Sequence, residues 1–169
     1  HILPLIALRG LVVFPGSSVS FDLSRPASIK AIETAMANDK RIFLVTQKDF
    51  SVEKPTALDL YKVGCVAKIK QFAKIPNGLS RVMVDVVSRA RLENFLTNTK
   101  FSHGQIEIIE EEETTTDMII DQAYARSLEE KFSEYVKISK KPSPDKIALV
   151  YPSDDIKRFA DGIAANINC

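Results

Sequence analysis

The hydrophobic positions of the chain follow two periods, one typical of strands and the other of helices. Residues 18–23 alternate strictly between apolar and polar side chains, which predicts a half-buried strand. Residues 41–46 hold four apolar side chains in a row, and this pattern predicts a strand covered on both faces. Between the two, apolar positions recur at helical spacing after Pro26, so we expect one helix there.

Two longer strands are predicted further along the chain, at residues 61–72 and 79–92. The segment between them, Ile75-Pro76-Asn77-Gly78, predicts a hairpin turn, because asparagine and glycine tolerate positive φ at low cost. Residues 101–109 supply one more strand. The first part of the chain is therefore expected to be rich in β-structure.

The spacing of the apolar residues changes from the strand period to the helix period at about Thr114. An apolar stripe follows, formed by residues at every fourth position: Ile120, Tyr124, Leu128 and Phe132. Ser143 is expected to cap a short second helix, and Ser153 a third helix that carries its own apolar face. The sequence thus predicts an α+β fold, with a β-rich lobe at residues 1–113 followed by a helical bundle lobe at residues 114–169.

Composition places the chain among ordinary globular proteins and excludes several classes of function. Of the 169 residues, 45% are hydrophobic and 27% are charged, so disorder over the whole length is excluded. The formal net charge of +1 provides no strong overall attraction to nucleic acid or to acidic lipid. The two cysteines lie far apart in sequence, which favours a reducing compartment over a disulfide framework.

The two ends of the chain favour a fragment of a longer protein. The apolar run at residues 2–13 is short and interrupted, so it predicts neither a membrane-spanning helix nor a signal peptide. The chain starts without methionine, and its last apolar stripe runs almost to Cys169. We therefore expect an excised piece that is truncated at its C-terminal end.

Candidate chemistry is scarce in this sequence. His1 and His103 are its two histidines, and no serine or cysteine signature surrounds them, so no catalytic residue is predicted. The cysteines and histidines do not converge at metal-ligand spacing, and no glycine-rich phosphate loop is present, so we expect neither a metal site nor a bound cofactor. The acidic residues 110–113 are interpreted as a solvated segment before a helix start.

Basic residues on the strand at 61–72 leave a second interpretation open. Four lysines lie on or beside it: Lys62, Lys68, Lys70 and Lys74. A solvated strand face is the simpler reading, but the same residues could form a nucleic-acid face.

Four segments, in order, resemble a known family. They are Leu3–Gly16 (LPLIALRGLVVFPG), Phe43–Asp49 (FLVTQKD), Asp59–Ala67 (DLYKVGCVA) and Val86–Arg91 (VVSRAR), and a helical FADGIAA follows at Phe159–Ala165. Their order and spacing are similar to those of the Lon protease amino-terminal domain, and the resemblance covers nearly the whole chain. The chain departs from the family pattern at Ala7, at Ser88 and at residues 16–18.

The resemblance implies a fold and a parent enzyme. The fold is the PUA-like pseudo-barrel of the Lon amino-terminal domain, followed by a helical segment. The implied parent is a cytoplasmic, ring-forming, ATP-dependent serine protease with a Ser-Lys dyad, which degrades misfolded and regulatory proteins. Its ATP, magnesium and catalytic residues are expected beyond residue 169, so this chain would bind unfolded or damaged polypeptides and help the homo-oligomer assemble.

A physical hypothesis accompanies this resemblance. A β-rich lobe can bind damaged proteins through an apolar patch or through the unpaired edge of a strand. The candidate substrate-binding residues lie near the first turn and at the hairpin: Pro15, Val19, Ile75, Pro76 and Leu79. One alternative is a stand-alone adaptor or small-molecule-binding module, which a Walker A loop downstream would exclude. The other is a nucleic-acid-binding pseudo-barrel, although no motif in the sequence supports DNA binding. No membrane partner is expected.

Overall fold

The computed structural model of the chain describes residues 1–98, 100–110, 118–139 and 155–167. Two units make up the chain, His1–Glu110 and Glu111–Cys169. The predicted lobe boundary between residues 113 and 114 falls outside the described residues and stays a prediction.

The first unit is a barrel with one strand attached outside it. Its elements are β1 (Ile2–Leu8), β2 (Ser18–Leu23), α1 (Pro26–Met36), β3 (Arg41–Thr46), β4 (Val63–Lys74), β5 (Ser80–Thr97) and β6 (Ser102–Ile108). The sheet order is β2-β5-β4-β3-β1-β6, and β6 pairs with β5 as well. This pairing closes five strands into a ring, while β2 pairs with the first half of β5. The expected β-rich fold is confirmed.

Two groups of buried side chains cover the two faces of the sheet. One, the main core, includes the buried face of α1 at Ala31, Ile32 and Ala35, and the other contains side chains from all five strands of the ring. β3 lies between the two groups, and each of its residues from Ile42 to Val45 is at most 1% exposed. The prediction of a strand covered on both faces is therefore confirmed.

The segment before β2 sets the register of that strand on β5. Pro15 and Gly16 occupy the centre of a type II turn, in which the Ser17 amide donates to the Phe14 carbonyl at 3.3 Å and Gly16 has φ +79°. The Gly16 amide donates to the Val86 carbonyl at 2.9 Å, and the Val86 amide donates to Ser17 at 2.8 Å. This arrangement is a G1 bulge, which requires a positive φ at its first residue.

The hairpin predicted after β4 is present. The Ile75 amide donates to the Leu79 carbonyl at 3.0 Å, and Gly78 has φ +76°. The second strand is longer than predicted, because β5 continues five residues beyond Leu92, past a register shift between Leu92 and Asn94.

The second unit contains α2 (Met118–Ile138) and α3 (Ile156–Asn166) in its described part. Phe132, Phe159 and Ile163 form its buried cluster. Helix α2 carries the predicted apolar stripe, whose Leu128 and Phe132 lie in or against this cluster, whereas Ile120 and Tyr124 are 47% and 63% exposed.

The start of α3 also differs from the prediction. Its N-cap is Asp155, whose carboxylate accepts hydrogen bonds from the amides of Lys157 and Arg158, so the cap is not Ser153. The predicted cap at Ser143 lies outside the described residues. No helix in the described ranges is long and apolar enough to cross a membrane.

Candidate functional site

The predicted binding residues at the hairpin lie at one end of β2. Ile75 and Leu79 are half-buried, and Pro76 is exposed. Because Leu23 pairs with Ser80, the hairpin adjoins the C-terminal end of β2. The hairpin therefore presents a small, partly apolar surface at that end of the strand.

The other two predicted residues lie toward the opposite end. Pro15 is half-buried in the turn that precedes β2, and this turn bonds Val86 of β5 through Gly16 and Ser17. Val19 is in β2, and its side chain packs against the main core. Ser80 and Val86 lie six positions apart along β5, which corresponds to roughly 20 Å of strand. The five predicted residues therefore do not form one patch.

The open edge of β2 connects these two ends. Among the described strands, β2 is the one that pairs on a single side along its whole length. In an antiparallel pair of strands, hydrogen-bonded residue pairs alternate with pairs that are not hydrogen-bonded. Because Ser17 accepts a hydrogen bond from the Val86 amide, the next residues that bond β5 are 19, 21 and 23. The amide and carbonyl groups of Ser18, Ser20 and Asp22 consequently point to the open side.

The outer face of the β2–β5 pair is polar apart from the exposed Met83, and its charged groups are paired with one another. Arg81 donates to both carboxylate oxygens of Asp22, at 2.7 and 2.9 Å, and these hydrogen bonds lower the pKa of Asp22. Lys70 lies 2.8 Å from Asp85, and hydrogen bonds from Lys70 and then Ser18 lower the pKa of that carboxyl. The Arg81–Asp22 and Ser18–Asp85 contacts join β2 to β5, the Lys70–Asp85 pair joins β4 to β5, and together they leave little unbalanced charge beside the edge.

The same pairing weakens the nucleic-acid interpretation. Two of the four lysines suggested for such a face have carboxylate partners. Lys70 pairs with Asp85, and the Lys74 ammonium lies 3.5 Å from the Glu33 carboxylate. Lys62 and Lys68 are exposed. A face whose cations already have internal partners gains less by binding phosphates.

His103 and Cys65, which were considered as catalytic or metal-binding candidates, both pack against other side chains. The ring of His103 packs on Phe101 with 4.4 Å between centroids, and Cys65 is buried in the main core. Within the described ranges, no group of three or more histidine, cysteine or carboxylate residues could hold a metal ion.

A buried polar cluster near the start of α1 was not predicted. Gln47 is 4% exposed; its amide nitrogen donates to the carbonyls of Asp49 and Val52, at 3.1 and 3.0 Å. Its amide oxygen accepts a hydrogen bond from Arg25 at 2.7 Å. Arg25 also donates to Val52 at 3.1 Å and so fastens the loop after β3 to the start of α1. A single glutamine in a polar segment carries no sequence signal for such a role.

Comparisons with known proteins agree on one family. The model of the ATP-dependent protease La (LON) substrate-binding domain matches residues 2–169. The chain is 38% identical over 165 residues to a Lon protease of Brevibacillus choshinensis and 36% identical over 165 residues to Lon protease 1 of Bacillus subtilis. Each match covers 98% of this chain and 21% of the relative, so the chain spans about a fifth of the length of these proteins.

Solved structures show the same fold at low sequence identity. The N-terminal domain of a Mycobacterium avium complex Lon protease has a TM-score of 0.64 at 15% identity, with 99% of this chain and 100% of that chain covered. A Lon N-terminal domain protein from Xanthomonas campestris has a TM-score of 0.54 at 13% identity, with 98% of each chain covered.

Proposed function

Because the chain belongs to the LON substrate-binding domain family, we propose that it binds polypeptide substrates for an ATP-dependent Lon protease. The chain spans about a fifth of its curated relatives, so the ATPase and protease segments of the parent are assigned to sequence outside these 169 residues. In this proposal the chain itself cleaves no bond.

The observation that carries the proposal is the open edge of β2. Damaged and unfolded proteins expose backbone amide and carbonyl groups that a folded protein keeps paired. An extended segment of such a protein adds to β2 as a further strand and bonds Ser18, Ser20 and Asp22. Recognition through the backbone depends little on sequence, as a quality-control protease requires.

Apolar side chains near both ends of the edge strengthen this contact. Pro15 lies near the start of β2, while Ile75, Pro76 and Leu79 lie by its end. Each contact is weak, because a bound segment loses conformational freedom when it is ordered. Several copies of the domain in a homo-oligomeric ring would raise the effective affinity for one long chain.

The remaining features of the parent belong to the same proposal. ATP and magnesium serve its ATPase segment, misfolded and regulatory proteins are its substrates, and it works in the cytoplasm. A protein becomes a substrate when it exposes an extended segment with unpaired backbone groups, and no fixed recognition sequence is required.

The direct test replaces Ser20 by proline. The Ser20 amide faces the open side, so the change removes a donor for an added strand without breaking a bond to β5, and an edge strand tolerates proline at such a position. We expect a permanently unfolded, reduced and carboxymethylated protein to bind about tenfold more weakly, which corresponds to one or two backbone hydrogen bonds. Fluorescence anisotropy with the labelled unfolded protein measures the Kd.

Ser20→Ala is the matched control, because it shortens the same side chain and keeps the amide. The double variant Ile75→Ser/Leu79→Ser tests the apolar contribution of the hairpin, and we expect it to weaken the same binding. Urea unfolding of each variant checks that the barrel is intact. If Ser20→Pro stays folded and binds as tightly as Ser20→Ala, strand addition at β2 is not the mechanism.

A further inference from the structure

A groove on the first unit lies apart from the outer face of β2 and β5. It has a volume of about 400 Å³, which falls within the usual size of ligand pockets, roughly 300–1,000 Å³. Its walls come from β1, the start of α1, the loop after β3 and the two strands β5 and β6 near their turn. Apolar side chains form part of these walls: Leu5, Pro55, Phe95 and Phe101.

The charged groups of the groove do not balance. Arg25, Lys54 and Lys100 line it together with a single carboxylate, Glu53, so its net charge is +2 by difference. In the described part of the chain, neither lysine ammonium has a carboxylate within 4 Å. The two lysines, unlike Lys70 and Lys74 of β4, are available to an outside anion.

Arg25 also has unused hydrogen-bonding capacity. Its bonds to Gln47 and Val52 both start from Nη2, so Nε and Nη1 remain without a partner among the described residues. Arg9 donates to the same Val52 carbonyl at 3.3 Å, so two positive charges lie close together. Burial, followed by the charge of Arg9, lowers the pKa of Arg25, although Glu53 opposes this effect. A second anion near Arg25 would relieve the repulsion.

We propose that this groove binds a polypeptide segment in which a glutamate or aspartate carboxylate flanks an aliphatic or aromatic side chain. The apolar side chain contacts the wall formed by Phe95 and Phe101, and the carboxylate is held by Arg25, Lys54 and Lys100. A nucleic-acid strand fits less well, because a run of phosphates requires a line of cations rather than cations around an apolar pocket. The proposal goes beyond substrate capture at β2, since it assigns a second site and a chemical class of ligand.

The test uses two short labelled peptides with blocked ends. Both contain one leucine and one phenylalanine; the first has a glutamate on each side of this pair, and its twin has glutamines. We expect the glutamate peptide to bind the 169-residue chain about tenfold more tightly at low salt, with the difference shrinking as salt screens the charges. Fluorescence anisotropy gives both Kd values.

Charge reversal on the chain identifies the groove. Lys54→Glu/Lys100→Glu should abolish the preference for the glutamate peptide, while Lys68→Glu, an exposed lysine on β4, should preserve it. Arg25 is left unchanged, because its bonds to Gln47 and Val52 support the fold. Isotope-labelled spectra of the chain with the glutamate peptide should show shifts at Phe95 and Phe101.

Three results would overturn the proposal: equal Kd values for the twin peptides, equal effects of Lys68→Glu and of the double reversal, or tighter binding of a single-stranded oligonucleotide of the same length. The outcome is separable from that of the proposed function. Binding of an unfolded protein without acidic side chains should respond to Ser20→Pro and not to the changes at Lys54 and Lys100.

Discussion

Replacing Gln47 by methionine tests whether one buried amide fastens the loop after β3 to the start of α1. Methionine has a similar length and shape, so the change removes the polar contacts with little effect on packing. Three hydrogen bonds disappear, one from Arg25 and two to the loop carbonyls of Asp49 and Val52.

The structure sets the expected loss of stability. Each bond to a loop carbonyl contributes about 0.5–1.5 kcal/mol, and the bond from a charged donor about 1.5–3 kcal/mol. The bonds together give about 2.5–6 kcal/mol. We expect about 3 kcal/mol, because methionine adds apolar burial at this site and Arg25 keeps its bond to the Val52 carbonyl.

Urea unfolding, followed by far-ultraviolet circular dichroism, measures the free energy of unfolding. Gln71→Met is the matched control, since Gln71 is exposed on β4 and its replacement should change that free energy by less than about 0.5 kcal/mol. Hydrogen exchange at Val52 should also accelerate in the Gln47 variant, because its loop loses its anchor. Equal stability of the two variants would refute the role assigned to Gln47.

Two further predictions concern the barrel. Gly64→Ala should destabilise it by about 2–4 kcal/mol in urea unfolding, because the new Cβ would collide with the backbone oxygen of Leu44. Gly78→Ala is the control and should cost about 1 kcal/mol, because Gly78 has φ +76° but lies in open space. Equal losses of stability in the two variants would contradict this reasoning. The hydrogen bond from Arg81 lowers the pKa of Asp22 below 3.8, so the stability from this pair is complete above that pH and is lost as the pH falls through the folded-state pKa. Asp22→Asn should therefore flatten the acid side of a plot of urea midpoint against pH, and an unchanged slope would exclude a contribution from the pair.

Local patterns predicted those parts of the fold that local physics determines. β2 alternates because one of its faces packs on the core, and the β4–β5 hairpin is marked by residues that accept positive φ. β1 is not marked in this way, because its residues are buried on both faces and include a proline. The alternation of β5 breaks at the register shift after Leu92, so its last five residues were not predicted.

The closure of the barrel and the groove depend on contacts between distant segments. No local pattern indicates that β6 pairs with both β1 and β5, or that β1 lies parallel to β3. Arg25, Lys54 and Lys100 are far apart in sequence and meet because the ring closes. Sequence reasoning could propose the turn and the hairpin, which are local, but not a groove built from several segments.

The position of the groove relative to β2 indicates how the two proposed sites would work together. β2 ends at Leu23, and Arg25, which lines the groove, is two residues further on, at most roughly 7 Å along the chain. The hairpin tip adjoins the same end of β2 through the pairing of Leu23 with Ser80. A segment bound along β2 therefore has its end close to both an apolar surface and Arg25, one of the cations that line the groove. Because the second contact is then intramolecular, two weak interactions can hold an unfolded chain that neither would retain alone, while a folded protein, which exposes no free segment, gains nothing from their proximity.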